Sequence, residues 1–216
     1  MEVDPGLSFR NVSFRYSKRD VVCDVSFETT EGQSLAIVGE SGAGKSTLLN
    51  LATGRLVPCQ GDIFFRGINI SRLRKSARIK FRRTYVGTIF QFPDLIPELS
   101  ALENVTIVGM MRTRSEKKAN AEAERLLMEL GIEPQQQASL LSGGQQSRVT
   151  VARALIGTPA LIIADEPTAS LDEEHARITF ELLEKYRDPT SILIVATHDE
   201  KIWKSCERTI HLDKKM

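Results

Sequence analysis

Cysteine is scarce in this chain: three in 216 residues, Cys23, Cys59 and Cys206, far apart and without a C-x-x-C pair. An odd, scattered set excludes a disulfide framework and a zinc site of the usual spacing, and reads as buried reduced thiols of a cytosolic protein. Long hydrophobic runs are missing too, since no apolar stretch approaches the ~20 residues that a membrane-spanning helix needs. An excess of either charge is also missing. Lys and Arg number 29 against 28 Asp and Glu, a formal net charge of +1, so no global field points to nucleic acid or to a membrane. The start, Met1-Glu2-Val3-Asp4-Pro5, has neither the basic region nor the apolar core of a secretory signal, and none is expected. No internal repeat, linker or low-complexity stretch stands out. Hydrophobic residues at 41% and charged residues at 26% give an ordinary globular balance, enough for one generous domain or a domain with a subdomain.

What is present is a set of short apolar runs. Leu35-Ala36-Ile37-Val38, Leu161-Ile162-Ile163-Ala164 and Ile192-Leu193-Ile194-Val195 lack alternation, as strands covered on both faces of a parallel sheet do. Each stops abruptly, at Gly39-Glu40-Ser41, Asp165-Glu166 and Thr197-His198-Asp199. Ligands of open α/β sheets gather beyond the carboxyl ends of such strands, which makes these three ends one candidate site. Upstream, Leu7-Ser8-Phe9, Val12 to Tyr16, Val21 to Phe27 and Gly61 to Phe65 are short, β-prone and alternating, and predict an antiparallel flank. Between Pro93 and Ile156 the pattern turns helical. Ala119, Ala123, Leu126, Leu127 and Leu130 share one face before a stop at Gly131, and a second amphipathic helix is predicted over Glu173 to Arg187 through Ala176, Thr179, Phe180 and Leu183. The expected fold is α/β: a core over roughly 1–91 and 157–216 with its antiparallel β-subdomain, and a helical insert over 92–156, forming a single domain.

Gly39-Glu40-Ser41-Gly42-Ala43-Gly44-Lys45-Ser46 fits G-x-x-x-x-G-K-[ST] directly after a strand, and the run from Ser46-Thr47 onward starts a helix. Backbone N–H groups of such a loop point at phosphate oxygens, and the helix start adds positive potential. Lys45 then reaches the β- and γ-phosphates of a nucleotide, and the Ser46 hydroxyl ligates Mg²⁺. Asp165, closing an apolar strand, takes the carboxylate position that holds the metal, and Glu166 is placed to polarise an attacking water. Leu141-Ser142-Gly143-Gly144-Gln145 looks like a second anion site. Ser142 caps the next helix, Gly143 and Gly144 permit close backbone approach, and Val149, Ala152 and Leu155 give that helix an apolar face.

The P-loop, the Leu141–Gln145 segment and the Asp165-Glu166 strand occur in the order and spacing of ABC transporter nucleotide-binding subunits, and the chain resembles that family over nearly its whole length. The resemblance implies a P-loop NTPase core with antiparallel β- and inserted α-helical subdomains, and an Mg-dependent ATPase. It implies a head-to-tail dimer, of two copies or of paired cassettes, in which Ser142, Gly143, Gly144 and Gln145 complete the other subunit's ATP site. It gives Gln91 to the loop that touches Mg²⁺ and reports on a membrane partner, Asp172 within Ser170-Leu171-Asp172 to the dimer interface, and His198 to a γ-phosphate switch. Tyr16 resembles the aromatic that stacks on adenine, with Phe14 offering another ring on the same face. The family also implies a separate integral membrane permease, a peripheral position on the cytoplasmic face of the membrane, and no nucleic-acid partner.

Val86 to Gln91, Leu95-Ile96-Pro97, Ser100 to Val105 and Ala164 to Asp172 look like the lipoprotein-release and macrolide-exporter branch, which favours export or force transmission over import. Ala169 stands where glycine is usual, and Ser147 where a longer polar residue is common. Soluble ABC ATPases acting on ribosomes usually carry two cassettes, and those acting on DNA carry long coiled-coil insertions; this chain has neither. Intact Glu166 and His198 argue against a module that binds ATP without turnover. Apart from any resemblance, Arg72, Arg74, Lys75, Arg78, Lys80, Arg82 and Arg83 crowd a stretch with no acid between Asp62 and Asp94. They form a solvated basic face or a contact for anionic lipid headgroups.

Overall fold

The computed structural model describes residues 6–167 and 173–213, with the side chains of 173–175 left out. In chain order the elements begin with β1 (Leu7–Tyr16), β2 (Arg19–Thr29), β3 (Ser34–Gly39), α1 (Lys45–Ala52), β4 (Gln60–Phe65), β5 (Ile68–Asn69) and α2 (Lys75–Tyr85). They continue with β6 (Val86–Ile89), α3 (Ala101–Thr113), α4 (Glu116–Glu129), α5 (Gly143–Leu155) and β7 (Leu161–Asp165). The last are α6 (Glu173–Tyr186), β8 (Ile192–Ala196), α7 (Glu200–Ser205) and β9 (Arg208–Leu212). They fall into two compact units, Met1–Tyr85 with Pro189–Met216, and Val86–Asp188.

In the first unit, β2, β1, β4 and β5 form an antiparallel sheet in that order, as the alternating segments predict. The alternation breaks at Asn11, which takes a positive φ of 50° between register shifts, and its Nδ2 donates to Asp24 Oδ1 at 3.0 Å. Such a bulge re-aims the strand's side chains. Phe9 stacks on Phe27 at 4.4 Å, while Phe65 meets Phe81 of α2 at 5.4 Å and Tyr85 at 5.7 Å. The same unit holds β3 in parallel between β8 and β9. Leu35, Ile192, Leu193, Ile194 and Val195 are completely buried, which is why these runs read as continuous apolar stretches.

In the second unit β6 pairs in parallel with β7. Three of its helices start on side-chain caps: Ser100 and Glu103 form a reciprocal capping box at α3, Ser115 caps α4, and Ser142 with Gln145 repeats the box at α5. The apolar faces predicted for α4 and α6 are the buried ones, with Ala119, Ala123 and Leu127 at 0% exposure and Ala176, Phe180 and Leu183 also buried. Gly131 follows α4 at a φ of 70°, the left-handed geometry of a helix stop. The α/β fold with antiparallel and parallel strand pairing is therefore as expected.

The thiols depart from expectation. Only Cys206 is buried; Cys23 is half-buried and Cys59 exposed. Cys23 lies on β2, at the edge of its sheet, and Cys59 precedes β4, where its thiol donates to the Ser13 carbonyl at 3.1 Å. A polar contact near solvent replaces the packing that usually draws cysteine inward. Among the described residues no helix is long and apolar enough to cross a membrane.

Candidate functional site

In the first unit, β3 ends at Gly39 and the chain turns through 40–44 into α1. Gly44 occupies the N-cap position at a φ of 100°, and a Cβ there would sit 2.9 Å from the Val21 carbonyl oxygen. Only glycine satisfies both constraints. No side chain caps α1 and its first turn carries no acid, so the helix's own side chains leave its positive end uncompensated. Lys45 is buried, and its Nζ donates to the carbonyls of Gly39 at 2.7 Å and Glu40 at 3.4 Å. A lysine folded onto the loop that precedes it closes a ring around the space where Gly42, Ala43 and Gly44 turn. Ser46 faces solvent in the first turn of α1 and Thr47 is buried beside it. This fits an anion with several acceptor oxygens, and the exposed hydroxyl is a hard donor suited to Mg²⁺.

Parallel pairing fixes what accompanies this loop. Ile37 on β3 is in register with Ala196 on β8, and Thr197 N donates to the Ile37 carbonyl at 3.1 Å. The P-loop and Thr197-His198 therefore leave from neighbouring strand ends. Thr197 is completely buried and its hydroxyl accepts from Asp199 N at 3.0 Å, while His198 is exposed. Tyr16, half exposed at the β1 end of the β1–β2 hairpin, meets Phe14 edge-on at 4.8 Å, so the two candidate rings form one aromatic pair.

In the second unit the same geometry recurs. Ile89 on β6 is in register with Ala164 on β7, so Phe90-Gln91 and Asp165-Glu166 leave from neighbouring strand ends. Gln91 is exposed, Asp165 and Glu166 half-buried. Glu166 has a φ of 44°, an unusual backbone for a side chain of this kind and one that clusters at functional sites. Gln91 lines a small cavity together with Ser147 and Thr150 of α5, Pro167, and Thr179 of α6.

Ser142 Oγ accepts from Gln145 N at 3.3 Å and Gln145 Oε1 accepts from Ser142 N at 2.9 Å. Ser142 and Gly143 are exposed, Gly144 and Gln145 half-buried, and a Cβ on Gly143 would meet nothing within 4 Å. The α5 start thus presents backbone to open space, as an approaching anion requires. Asp172 lies outside the described residues.

Arg153 is a residue that sequence reasoning missed. From α5 its Nη1 donates to the carbonyls of Pro93 at 3.2 Å and Asp94 at 2.7 Å. Burial pulls its guanidinium below its ordinary pKa, and the Asp94 carboxylate opposes that shift. The available signal was a single cation inside the apolar run Val149 to Ile156.

The family described as ABC transporter matches residues 22–169. The dimeric post-hydrolysis structure of the ATP-binding cassette MJ0796 bound to ADP and Pi is 31% identical, with 97% of each chain covered and a TM-score of 0.84. A second dimeric structure of MJ0796, described as a bacterial ABC transporter cassette, is 32% identical, with a TM-score of 0.83 and coverage of 96% of this chain and 94% of that one. CbiO1 from Clostridium perfringens, described as part of the ABC transporter complex cbiONQ, is 27% identical, with a TM-score of 0.87 and coverage of 99% and 88%.

Proposed function

Because the chain belongs to the ABC transporter family and carries its ATPase cassette, we propose that two copies close head to tail on ATP and drive a separate membrane permease. The observation that supports this best is the pair of helix starts without an acid in the first turn: α1, uncapped behind the P-loop, and α5, capped by its own Ser142–Gln145 box but exposed at Ser142-Gly143, where a Cβ on Gly143 would meet nothing within 4 Å. One binds the chain's own nucleotide. The other reaches the γ-phosphate held by the partner copy, which explains why its glycine faces open space.

Each residue then has a task. The Lys45 ammonium moves from the loop carbonyls onto phosphate oxygens, and Gly39 to Thr47 supply the surrounding backbone donors and hydroxyls. Ser46, Asp165 and Gln91 are the residues that would hold Mg²⁺, and the ion would supply charge neutralisation at the phosphates. Glu166 orients the attacking water and accepts its hydrogen bond, and His198 contacts the γ-phosphate from the neighbouring strand end. Tyr16 stacks on adenine, and Asp172 meets the partner across the dimer interface. The helical segment 92–156, with Phe92 and Ile96 exposed, turns toward the permease, and the chain sits peripherally on the cytoplasmic face of the membrane. The resemblance of Val86–Val105 to exporters favours outward transport or force transmission as the work done.

The test is steady-state ATPase activity combined with light scattering. Wild-type protein is expected to hydrolyse ATP with Mg²⁺, and Glu166→Gln to hold ATP without turnover and accumulate as a dimer. A wild type without hydrolysis, alone and with its membrane partner, overturns the reading.

A further inference from the structure

Of the basic stretch 72–83, Lys75, Lys80 and Arg83 lie on the exposed face of α2, and Arg72 and Arg74 precede that helix. α2 is anchored by Phe81, which is buried and packs on Phe65 together with Tyr85. With these rings inward, Lys75, Ser76, Ile79, Lys80 and Arg83 are exposed, spanning an arc of about 140° around the axis. Arg74, just before the helix, is exposed as well. Ile79 is the one apolar side chain in this arc and is 50% exposed, flanked by cations. α2 contains no acid. Nearby, Asp62 is already engaged by Arg72 at 3.1 Å, and among the described residues no carboxylate pairs with Arg74, Lys75, Lys80 or Arg83.

The arc continues into a cluster of guanidiniums. Arg82 donates to the Gly54 carbonyl at 2.9 Å, and the Arg78 side chain lies against Gly54. Burial lowers the pKa of Arg82, and the like charges of Arg55 and Arg78 lower it further. Cations held this close repel one another, and an anion on this face relieves the repulsion.

We propose that α2 docks on an anionic lipid surface, with Arg74, Lys75, Lys80 and Arg83 against the headgroups and Ile79 at the headgroup–acyl boundary. It rests on the reading above that the chain works at a membrane. A lipid surface fits better than nucleic acid for two reasons. The face carries an exposed aliphatic chain at its centre, as interfacial helices do, and it offers no exposed aromatic on which a base would stack.

The test is flotation of the full chain with phosphatidylcholine vesicles, with and without about 30% phosphatidylglycerol, at about 0.1 M salt. Binding is expected only to the anionic vesicles and is released by raising the salt. Replacing Lys75, Lys80 and Arg83 together by Gln is expected to weaken binding on the order of a hundredfold, about fivefold for each charge. Ile79→Ser, with every charge retained, is expected to weaken it as well. Unchanged melting and ATPase activity of both variants show that the loss is local. The proposal is overturned by equal binding to neutral vesicles, by no binding, by an unaffected triple variant, or by charge-dependent binding to oligonucleotides in preference to vesicles. Flotation needs neither nucleotide nor permease, so its failure removes the lipid contact and leaves the ATPase reading to be judged on Glu166.

Discussion

Arg153 on α5 holds the carbonyl of Asp94 at 2.7 Å, and so ties the helix that begins at Ser142 to the loop that follows Gln91. Asp94 has a φ of 47°, so the loop is held in a backbone shape it would not adopt unaided. Hydrogen bonds from a charged donor contribute about 1.5–3 kcal/mol. Arg153→Met is expected to cost about that much in urea denaturation, and to raise hydrogen exchange selectively in the segment 91–96. Arg153→Lys keeps the charge but not the two-carbonyl reach, and should recover only part of the stability. Uniform exchange across the second unit, with no focus on that loop, would argue against the tether.

Ser142 has two separable jobs. As a cap it satisfies Gln145 N, and Ser142→Ala is expected to cost about 1 kcal/mol. As a surface, in the head-to-tail dimer proposed above, it must let another subunit approach. Ser142→Arg loses the same cap and adds bulk where Gly143 faces open space. Thermal melts should therefore resemble those of Ser142→Ala, and nucleotide binding by the monomer should persist. Hydrolysis and ATP-driven dimerisation should vanish in Ser142→Arg alone. Equal activity in the two variants would leave the α5 start as an ordinary helix cap.

The sequence revealed those elements whose pattern is dictated by burial. β3, β7 and β8 are covered on both faces and read as apolar runs, and α4 and α6 each bury one stripe. α2 was legible only as a cluster of charge, because one buried residue, Phe81, is too little to mark a helical period. β6 is four residues long and contains Gly87 and Thr88, so nothing in it alternates or runs apolar. β9 shows no buried residue at all. At the site, the motifs named the side chains, but the parallel register that sets Gln91 beside Asp165-Glu166, and the P-loop beside His198, is a property of strand order. Local spacing carries no record of that order.

Glu103 provides a pH-dependent cap. Its carboxylate accepts from both the backbone N and the hydroxyl of Ser100 at 2.8 Å, and these bonds hold it below its ordinary pKa of 4.5. A carboxyl whose folded pKa is depressed stabilises the fold above the unfolded value, and this contribution disappears as pH falls through the folded one. NMR titration is expected to place the Glu103 midpoint below 4.5. Glu103→Gln should flatten the acid side of the stability profile in that window while leaving neutral-pH behaviour close to that of other cap variants. A midpoint at or above the ordinary value would contradict the capping box.

Glu166 combines a strained backbone with the carboxylate proposed to orient the attacking water. A positive φ of 44° costs a side-chain-bearing residue about 1–2 kcal/mol relative to glycine, and the cost is greater for a β-branched one. Glycine's extra freedom in the unfolded chain returns part of that difference. Glu166→Gly is therefore expected to be between neutral and about 1 kcal/mol more stable than wild type, whereas Glu166→Val should be clearly less stable. Neither variant should turn over ATP. If glycine folds at least as well there, the strained glutamate is kept for its carboxylate. If Glu166→Gly proves as damaging to folding as Glu166→Val, the carboxylate is structural and the attacking water must be positioned by another group.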